Sequence, residues 1–153
     1  MNELKKNDIL EAVFEGFTSE GAGVCRAGGR AVFVPRALPG ERWRIRVVKV
    51  NRSVVWGRGE ELLIPSPHRV EPMCPVFGRC GGCDLRHMDY DCELAFKLQK
   101  VNDALRRIGG LDLRADTIHG ADTLEGYRNK AIYNFAPGPV CGFFRGQIGR
   151  AHV

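Results

Sequence analysis

Six cysteines occur in this sequence of 153 residues, and three of them lie close together in a glycine-containing run. Cys74, Cys80 and Cys83 follow the pattern C-x5-C-x2-C, with two glycines between the last two. Thiolates two residues apart can bind one metal ion or cluster, and glycines let the backbone fold tightly around it. The spacing indicates a metal-ligating loop and leaves two chemistries open: an iron–sulfur cluster with a fourth cysteine, or a zinc site completed by His87 or Cys92.

The expected compartment favours metal binding by these thiols. The N-terminus is polar, and no apolar run approaches the roughly 20 residues that cross a bilayer. A cytoplasmic monomer with no membrane partner is therefore expected. Thiols stay reduced in the cytoplasm, so six cysteines there indicate metal ligation or catalysis before disulfides.

Basic side chains are concentrated between residues 26 and 58, where nine of them face the single acid Glu41 in a chain of net charge +5. Such a field favours a polyanion such as nucleic acid, and the alternative is a solvated arginine-rich surface. Three arginines in one predicted strand alternate with apolar residues, so their guanidinium groups lie on the same face of that strand. The predicted nucleic-acid contacts are Arg42, Arg44 and Arg46, supported by Arg26, Arg30 and Lys49.

Short strands separated by Gly and Pro must position these groups. They are predicted at residues 9–17, 22–26, 30–34, 42–50 and 54–64. Gly28-Gly29 predicts a hairpin turn, and a change of parity at Val47-Val48 predicts a bulge. The spacing predicts a small OB-like antiparallel barrel. Trp43 and Trp56 could stack on bases, but Trp43 alternates with the arginines and is expected to face the interior.

The second half of the chain is predicted to be a small α+β domain. A Pro-rich connector at residues 65–72 leads into the cysteine loop. A helix should follow, capped by Asp89 or Asp91, ended by Gly109-Gly110, and packing an apolar stripe on its neighbours. That stripe consists of Leu94, Leu98, Val101, Leu105 and Ile108. Strands are expected at residues 130–135 and 140–145, so the predicted domains are an all-β barrel at 1–64 and an α+β domain at 65–147.

The run from Arg69 to Met88 resembles the iron–sulfur motif of bacterial 23S ribosomal RNA (uracil-5-)-methyltransferases, the RlmD or RumA family. The resemblance continues in order along nearly the whole chain to Gln147. Segments similar to the family's TRAM domain are Gly21–Val24, Val32–Pro35 and Leu38–Glu41. Similar to its helix and central domain are Tyr90, Leu94 and Lys97, then Tyr127–Lys130 and Gly142–Arg145.

The resemblance implies a TRAM barrel that grips RNA and a central domain with a [4Fe-4S] cluster. Cys74, Cys80 and Cys83 would be three cluster ligands, the fourth cysteine following soon after Arg145. His87 would then lie near the cluster without binding it. A class I Rossmann-like domain would bind S-adenosylmethionine, a cysteine thiolate would attack the uracil ring, and a glutamate would remove the displaced proton. Two further cysteines, Cys25 and Cys141, are predicted to be buried or half-buried.

That catalytic domain does not match any segment of this sequence. No Gly-rich S-adenosylmethionine loop occurs, and no catalytic or cofactor-binding residue is assigned. Residues 148–153 match the translation of a sequencing-library adapter and are interpreted as an artefact. We therefore expect an N-terminal fragment, inactive by itself, from an enzyme that favours 23S ribosomal RNA over transfer RNA. The alternative is a stand-alone RNA-binding module with a zinc or iron–sulfur site.

Overall fold

A computed structural model describes residues 3–126, 129–130, 132–138 and 140–142. Its strands are β1 Ile9–Val13, β2 Gly16–Phe17, β3 Gly23–Ala27, β4 Arg30–Val34, β5 Arg42–Val50, β6 Val54–Ile64, β7 Asn134–Ala136 and β8 Val140–Gly142. One helix, α1 Tyr90–Asp103, continues into a π-helical segment, Ala104–Ile108. The predictions for residues 127–128 and 143–153, which include the adapter-like end, lie outside the described residues.

The segment of the chain that contains β1 and β2 closes the barrel. β1 pairs antiparallel with β5, and β2, which follows two residues later, pairs antiparallel with β3. The strands between these edges run in the order β3, β4, β6, β5, with β4 and β6 parallel. Since β1 and β2 lie at opposite edges of the six-stranded sheet but are consecutive in the chain, the sheet curls into a small barrel. The predicted OB-like β fold is confirmed for this part of the chain, but the prediction of an all-antiparallel barrel is wrong, because β4 and β6 pair in parallel.

Alternate side chains of the strands fill the barrel. The buried core consists of Ala12, Phe14, Cys25, Val32, Val34, Ala37, Ile45, Val47 and Val55. The predicted hairpin turn is confirmed, because Gly28 and Gly29 have φ angles of 56° and 74°, as a type I′ turn requires. The predicted bulge is confirmed by a register shift between Val47 and Lys49. The bulge returns Lys49 to the outer face while Val47 stays in the core.

The boundaries of α1 agree with those predicted from the sequence. Asp89 is the N-cap, and its carboxylate accepts a hydrogen bond from the Cys92 amide at 2.7 Å, which satisfies one of the free donors of the first turn. The π-helical segment ends before Gly110, whose φ is 61°. Asp89, one of the two predicted caps, is therefore confirmed.

The helix packs on the end of the barrel. The ring of Phe96 meets the ring of Phe17 on β2 edge to face, with centroids 5.0 Å apart. No side chain of α1 is fully buried, and Val101 and Ile108 are exposed. The expectation of a fully packed stripe is therefore wrong for the end of the helix, because the barrel reaches only its Phe96 side.

An extended segment, residues 111–121, runs back along α1. The Asn102 side chain exchanges two hydrogen bonds with the Ala115 backbone, at 2.8 and 3.0 Å. Further along, the Ala121 amide donates to the Tyr90 hydroxyl at 2.7 Å. These polar contacts hold the segment against half-buried leucines of the stripe.

The last described elements form a hairpin. β7 and β8 pair antiparallel, with Phe135 opposite Cys141. The strand predicted at residues 130–135 is observed only as Asn134–Ala136, so its predicted start is wrong for the described residues 130, 132 and 133. The strand predicted at 140–145 begins at residue 140 as expected, and residues 143–145 lie outside the described residues. Among the helices of the described chain, none is long and apolar enough to cross a membrane.

Candidate nucleic-acid interface and cysteine loop

The outer face of β5 carries Arg42, Arg44 and Arg46, which we call the arginine ladder. Each of its guanidinium groups is paired with a glutamate on a neighbouring strand. The pairs are Arg42 with Glu11 at 2.6 Å, Arg44 with Glu61, and Arg46 with Glu60 at 2.9 Å. Exposed pairs of this kind contribute only about 0.2–1 kcal/mol each. Their main consequence is electrostatic, since the paired carboxylates offset the positive charge of the ladder.

Glu60 is shared between two arginines. It accepts hydrogen bonds from Arg58 at 2.8 Å and from Arg46 at 2.9 Å. The hydrogen bond from Arg58, followed by that from Arg46, lowers the pKa of the Glu60 carboxyl. Glu60 therefore stays charged at neutral pH and continues to offset the ladder.

The other three predicted contacts lie elsewhere on the barrel. Arg30, at the start of β4, pairs with Glu3 at 2.8 Å. Arg26 on β3 and Lys49 on β5 are exposed, and neither has an ion pair within the described ranges. The structure therefore separates the six predicted residues into a neutralised ladder, a paired Arg30 and two free cations.

The two tryptophans differ as the sequence predicts. Trp43 is half-buried against the core, its indole Nε1 donates to Glu41 at 2.7 Å, and the Arg69 guanidinium lies 5.4 Å from its ring centroid. Trp56 faces outward and is exposed over 37% of its surface. Only Trp56 is accessible to a base.

The cysteine loop is closed at its base by a short antiparallel pairing. The Val70 amide donates to the His87 carbonyl at 3.1 Å, and the Asp89 amide donates to the His68 carbonyl at 2.9 Å. Gly78, at the far end of the loop with φ of 79°, leaves no room for a Cβ beside the Arg36 side chain of the barrel. The loop is therefore held both at its base and against the barrel.

The thiols of the loop suit metal ligation. Cys74, Cys80 and Cys83 are reduced, the first two half-buried and the third exposed. The Gly82 amide donates to the Cys80 sulfur at 3.3 Å, the kind of hydrogen bond that stabilises a ligating thiolate. The loop thus contains three of the four cysteines that an iron–sulfur cluster needs, which fits the donor set implied by the resemblance.

A zinc site is not assembled in this loop. Zn–S bonds of about 2.3 Å in a tetrahedral site place the sulfurs about 3.8 Å apart. Within the described chain, the loop cysteines do not form a group of three donors lying within 4.8 Å of one another, with or without His87. The group that does is His68, Asp89 and Cys92, and it is explained by capping of α1, because both Asp89 oxygens already accept hydrogen bonds.

His87 is a core residue. It is 1% exposed, and neither ring nitrogen has a hydrogen-bond partner in the described structure. The Asp84 backbone lies near enough to favour the charged ring weakly, but not in hydrogen-bond geometry. Burial, with the Arg69 charge, lowers the pKa of His87 to about 4, so the ring is neutral.

A buried ion pair that sequence reasoning missed joins the barrel to the cysteine loop. Glu41 is 0% exposed and pairs with Arg69, which also donates to the Arg36 carbonyl at 2.6 Å. Glu41 further accepts hydrogen bonds from the Leu38 amide at 2.9 Å and the Ser66 amide at 3.3 Å. The available signal was the position of Glu41 as the only acid among nine basic residues.

The charge of Glu41 is maintained by its donors. Burial is the largest single effect and raises the pKa, but hydrogen bonds from Arg69, Leu38 and Trp43, with the Arg69 charge, outweigh it. The net pKa of Glu41 is therefore lowered, and the carboxylate is ionised at neutral pH.

The remaining cysteines are divided between core and surface. Cys25 is buried, as predicted, and burial followed by the Glu15 charge raises the pKa of its thiol to about 11. Burial also raises the pKa of Cys92. Cys141 is exposed on β8, so its predicted burial is wrong. A two-stranded hairpin has one face open unless another element covers it, and none does within the described residues.

Comparison with known proteins agrees with this geometry. Residues 3–58 match the TRAM domain family. The chain is 43% identical over 153 residues to an uncharacterized RNA methyltransferase of Halalkalibacterium halodurans, covering 96% of this chain and 33% of that protein. It is 40% identical over 145 residues to one of Listeria innocua, covering 95% of this chain and 31% of that protein. The predicted resemblance to RNA methyltransferases with a TRAM domain is confirmed.

The chain spans about a third of the length of the curated relatives that it matches. Among solved structures, the Pyrococcus abyssi tRNA (uracil-54, C5)-methyltransferase in complex with S-adenosyl-L-homocysteine is 31% identical, with a TM-score of 0.46 over 66% of this chain and 21% of that chain.

Proposed function

We propose that this protein acts in the S-adenosylmethionine-dependent methylation of uridine C5 in RNA, with 23S ribosomal RNA as the substrate. The chain contributes RNA binding and a site for a [4Fe-4S] cluster. One observation carries the proposal: a TRAM barrel and a C-x5-C-x2-C loop occur together in a chain that is similar over 96% of its length to a protein named as an RNA methyltransferase.

The barrel is proposed to bind RNA in the cytoplasm as a monomer. Arg42, Arg44, Arg46, Arg26, Arg30 and Lys49 are the proposed phosphate contacts. Contacts of this kind position the RNA without reading its sequence.

The loop is proposed to hold the cluster through Cys74, Cys80 and Cys83, with a fourth cysteine after Arg145. When bound, the cluster supplies a rigid cross-link between segments that are distant in sequence. The Gly82 amide, 3.3 Å from the Cys80 sulfur, supports a thiolate at that position. The chain itself is proposed to be catalytically inactive, because the family's nucleophile and base match no residue in it.

Metal analysis of anaerobically purified protein tests the cluster. We expect iron and acid-labile sulfide in equal amounts, and we expect Cys83→Ser to lose both while Cys141→Ser, a control at an equally exposed cysteine, keeps them. Stoichiometric zinc without sulfide would contradict the cluster and favour the stand-alone module.

The gene sequence beyond the codon for Gln147 tests the enzymatic part. The proposal expects an open frame with a further cysteine soon after Arg145 and then a long α/β domain. A native stop codon near residue 153 would contradict it.

A further inference from the structure

A row of four side chains crosses the outer face of β3, β4, β6 and β5. The strand register places Val24 opposite Phe33, Phe33 opposite Trp56, and Trp56 opposite Lys49. Neighbouring side chains on these strands, among them Cys25, Val32, Val34 and Val55, lie in the core, whereas Val48 is exposed at the bulge. At about 4.8 Å per strand, this aromatic row (Val24, Phe33, Trp56 and Lys49) spans about 14 Å.

The centre of the aromatic row is a fixed aromatic pair. The rings of Phe33 and Trp56 meet edge to face, with centroids 5.4 Å apart and an interplanar angle of 83°. This geometry is favourable for aromatic pairs. It holds the indole in place on the barrel while 37% of Trp56 stays exposed to solvent. Trp56 is thus an ordered aromatic surface on the outside of the barrel.

Unpaired cations surround the aromatic row. Arg26 follows Val24 by two residues and lies on the same face of β3, Lys49 ends the row, and Arg52 lies in the adjoining turn. These three side chains are exposed and make no ion pair in the part of the chain that is described. The arginine ladder, by contrast, is paired throughout with glutamates. Arg26, Lys49 and Arg52 therefore supply unpaired positive charge on or beside the aromatic row, which the arginine ladder does not.

We infer that this face binds single-stranded RNA, with a base stacked on Trp56 and phosphates held by Arg26 and Lys49. An aromatic surface inside a basic field is the combination that single-strand-binding proteins use. A base inside a duplex is already stacked and cannot lie on the indole. The inference rests on the proposed RNA binding and adds which face is used and which form of RNA it takes.

Binding of a 12-nucleotide oligouridine labelled with fluorescein, followed by fluorescence anisotropy, tests this assignment. Trp56→Ala is expected to weaken binding about tenfold without changing its salt dependence, because stacking releases no counterions. Trp56→Phe should retain most of the affinity. Lys49→Ala and Arg26→Ala should each reduce the salt slope by about 0.7.

The matched control is Val13→Ala, which removes an exposed apolar side chain at the end of β1 and should leave affinity unchanged. Circular dichroism verifies that each variant is folded, and the salt slopes of Lys49→Ala and Arg26→Ala keep the test valid if Trp56→Ala unfolds, since unchanged slopes would contradict phosphate binding on this face. Affinity within twofold of wild type for Trp56→Ala, with a loss for Arg44→Ala, would overturn the inference and leave the proposed function intact. An equal loss for a 12-base-pair RNA duplex would also overturn it. If wild-type protein binds neither RNA, the proposed RNA binding itself has failed.

Discussion

Glu41 illustrates at the scale of one residue how the barrel and the cysteine loop depend on each other. Its carboxylate has no contact with solvent, and its partners come from the barrel, the connector and the base of the loop. A buried charge is tolerated only when it is paired and hydrogen-bonded. Removing Arg69 leaves the Glu41 charge buried and unpaired, and removing Glu41 leaves the half-buried Arg69 guanidinium without its counter-charge.

Glu41→Ala is expected to lower the free energy of unfolding by about 3–5 kcal/mol, because Arg69 then lacks its counter-charge. Urea denaturation followed by circular dichroism measures this. The control is Glu11→Ala, which removes an exposed partner of Arg42 and should cost at most about 1 kcal/mol. Equal losses in the two variants would show that the Glu41 pair is no more important than a surface pair.

The buried pair also predicts a response to acid. The pKa of Glu41 is lowered in the folded state, so its stabilising effect is complete above the pKa of an unfolded glutamate, about 4.3. The effect is lost as pH falls through the folded pKa. The difference in unfolding free energy between wild type and Glu41→Gln should shrink below about pH 4.3. A difference that grows there would contradict an ionised Glu41.

His87 predicts a second acid response in a higher pH range. Its pKa is lowered to about 4 in the folded state, whereas an unfolded histidine titrates near about 6.5. The unfolded chain therefore binds more protons in this interval, and stability should fall from about pH 6.5 towards 4. His87→Leu should weaken this dependence, while His119→Leu, an exposed control, should not. An unchanged profile in His87→Leu would contradict a neutral, buried ring.

At the scale of elements, close backbone approach constrains the barrel at β3. A Cβ on Gly23 would lie 2.6 Å from the Ala37 carbonyl oxygen, 2.7 Å from the Ala37 Cβ and 2.8 Å from the Phe14 ring. All three atoms belong to buried residues that cannot move aside easily. β3 can therefore pass this point only without a side chain.

Gly23→Ala is expected to cost about 1–3 kcal/mol in unfolding free energy through overpacking. Gly16→Ala, on the adjoining strand β2, is the matched control, because nothing lies within 4 Å of the added Cβ. Thermal and urea unfolding compare the two. A loss in Gly16→Ala as large as that in Gly23→Ala would contradict the close approach.

The strands could be predicted because their signals are local. Gly28-Gly29 marks a turn, and Val47-Val48 marks a bulge, through neighbouring residues alone. The pairing of Arg44 with Glu61, or of Glu41 with Arg69, joins residues 17 and 28 positions apart, and no periodicity reports such contacts. The aromatic row was missed for the same reason, since Phe33 meets Trp56 only through the parallel pairing of β4 and β6.

For the whole molecule, the formal net charge differs from the positive charge that is free of ion pairs and can contact RNA. The chain carries a formal charge of +5, but much of the positive charge of the barrel is held in ion pairs with glutamates on its surface. Three exposed cations without ion pairs in the described chain, Arg26, Lys49 and Arg52, lie on or beside the aromatic row. Charge composition therefore indicates nucleic-acid binding, while the strand register indicates the face.

The salt dependence of RNA binding tests the central claim most directly. Titrating oligouridine at several salt concentrations gives a slope of log K against log salt of about −0.7 for each phosphate contact with a single strand. We predict saturable binding. The slope of log K against log salt should be about −4 if all six proposed basic residues contact phosphate, and about −1.4 if only Arg26 and Lys49 do. Absence of saturable binding at low salt, or an affinity independent of salt, would contradict an RNA-binding role for this barrel.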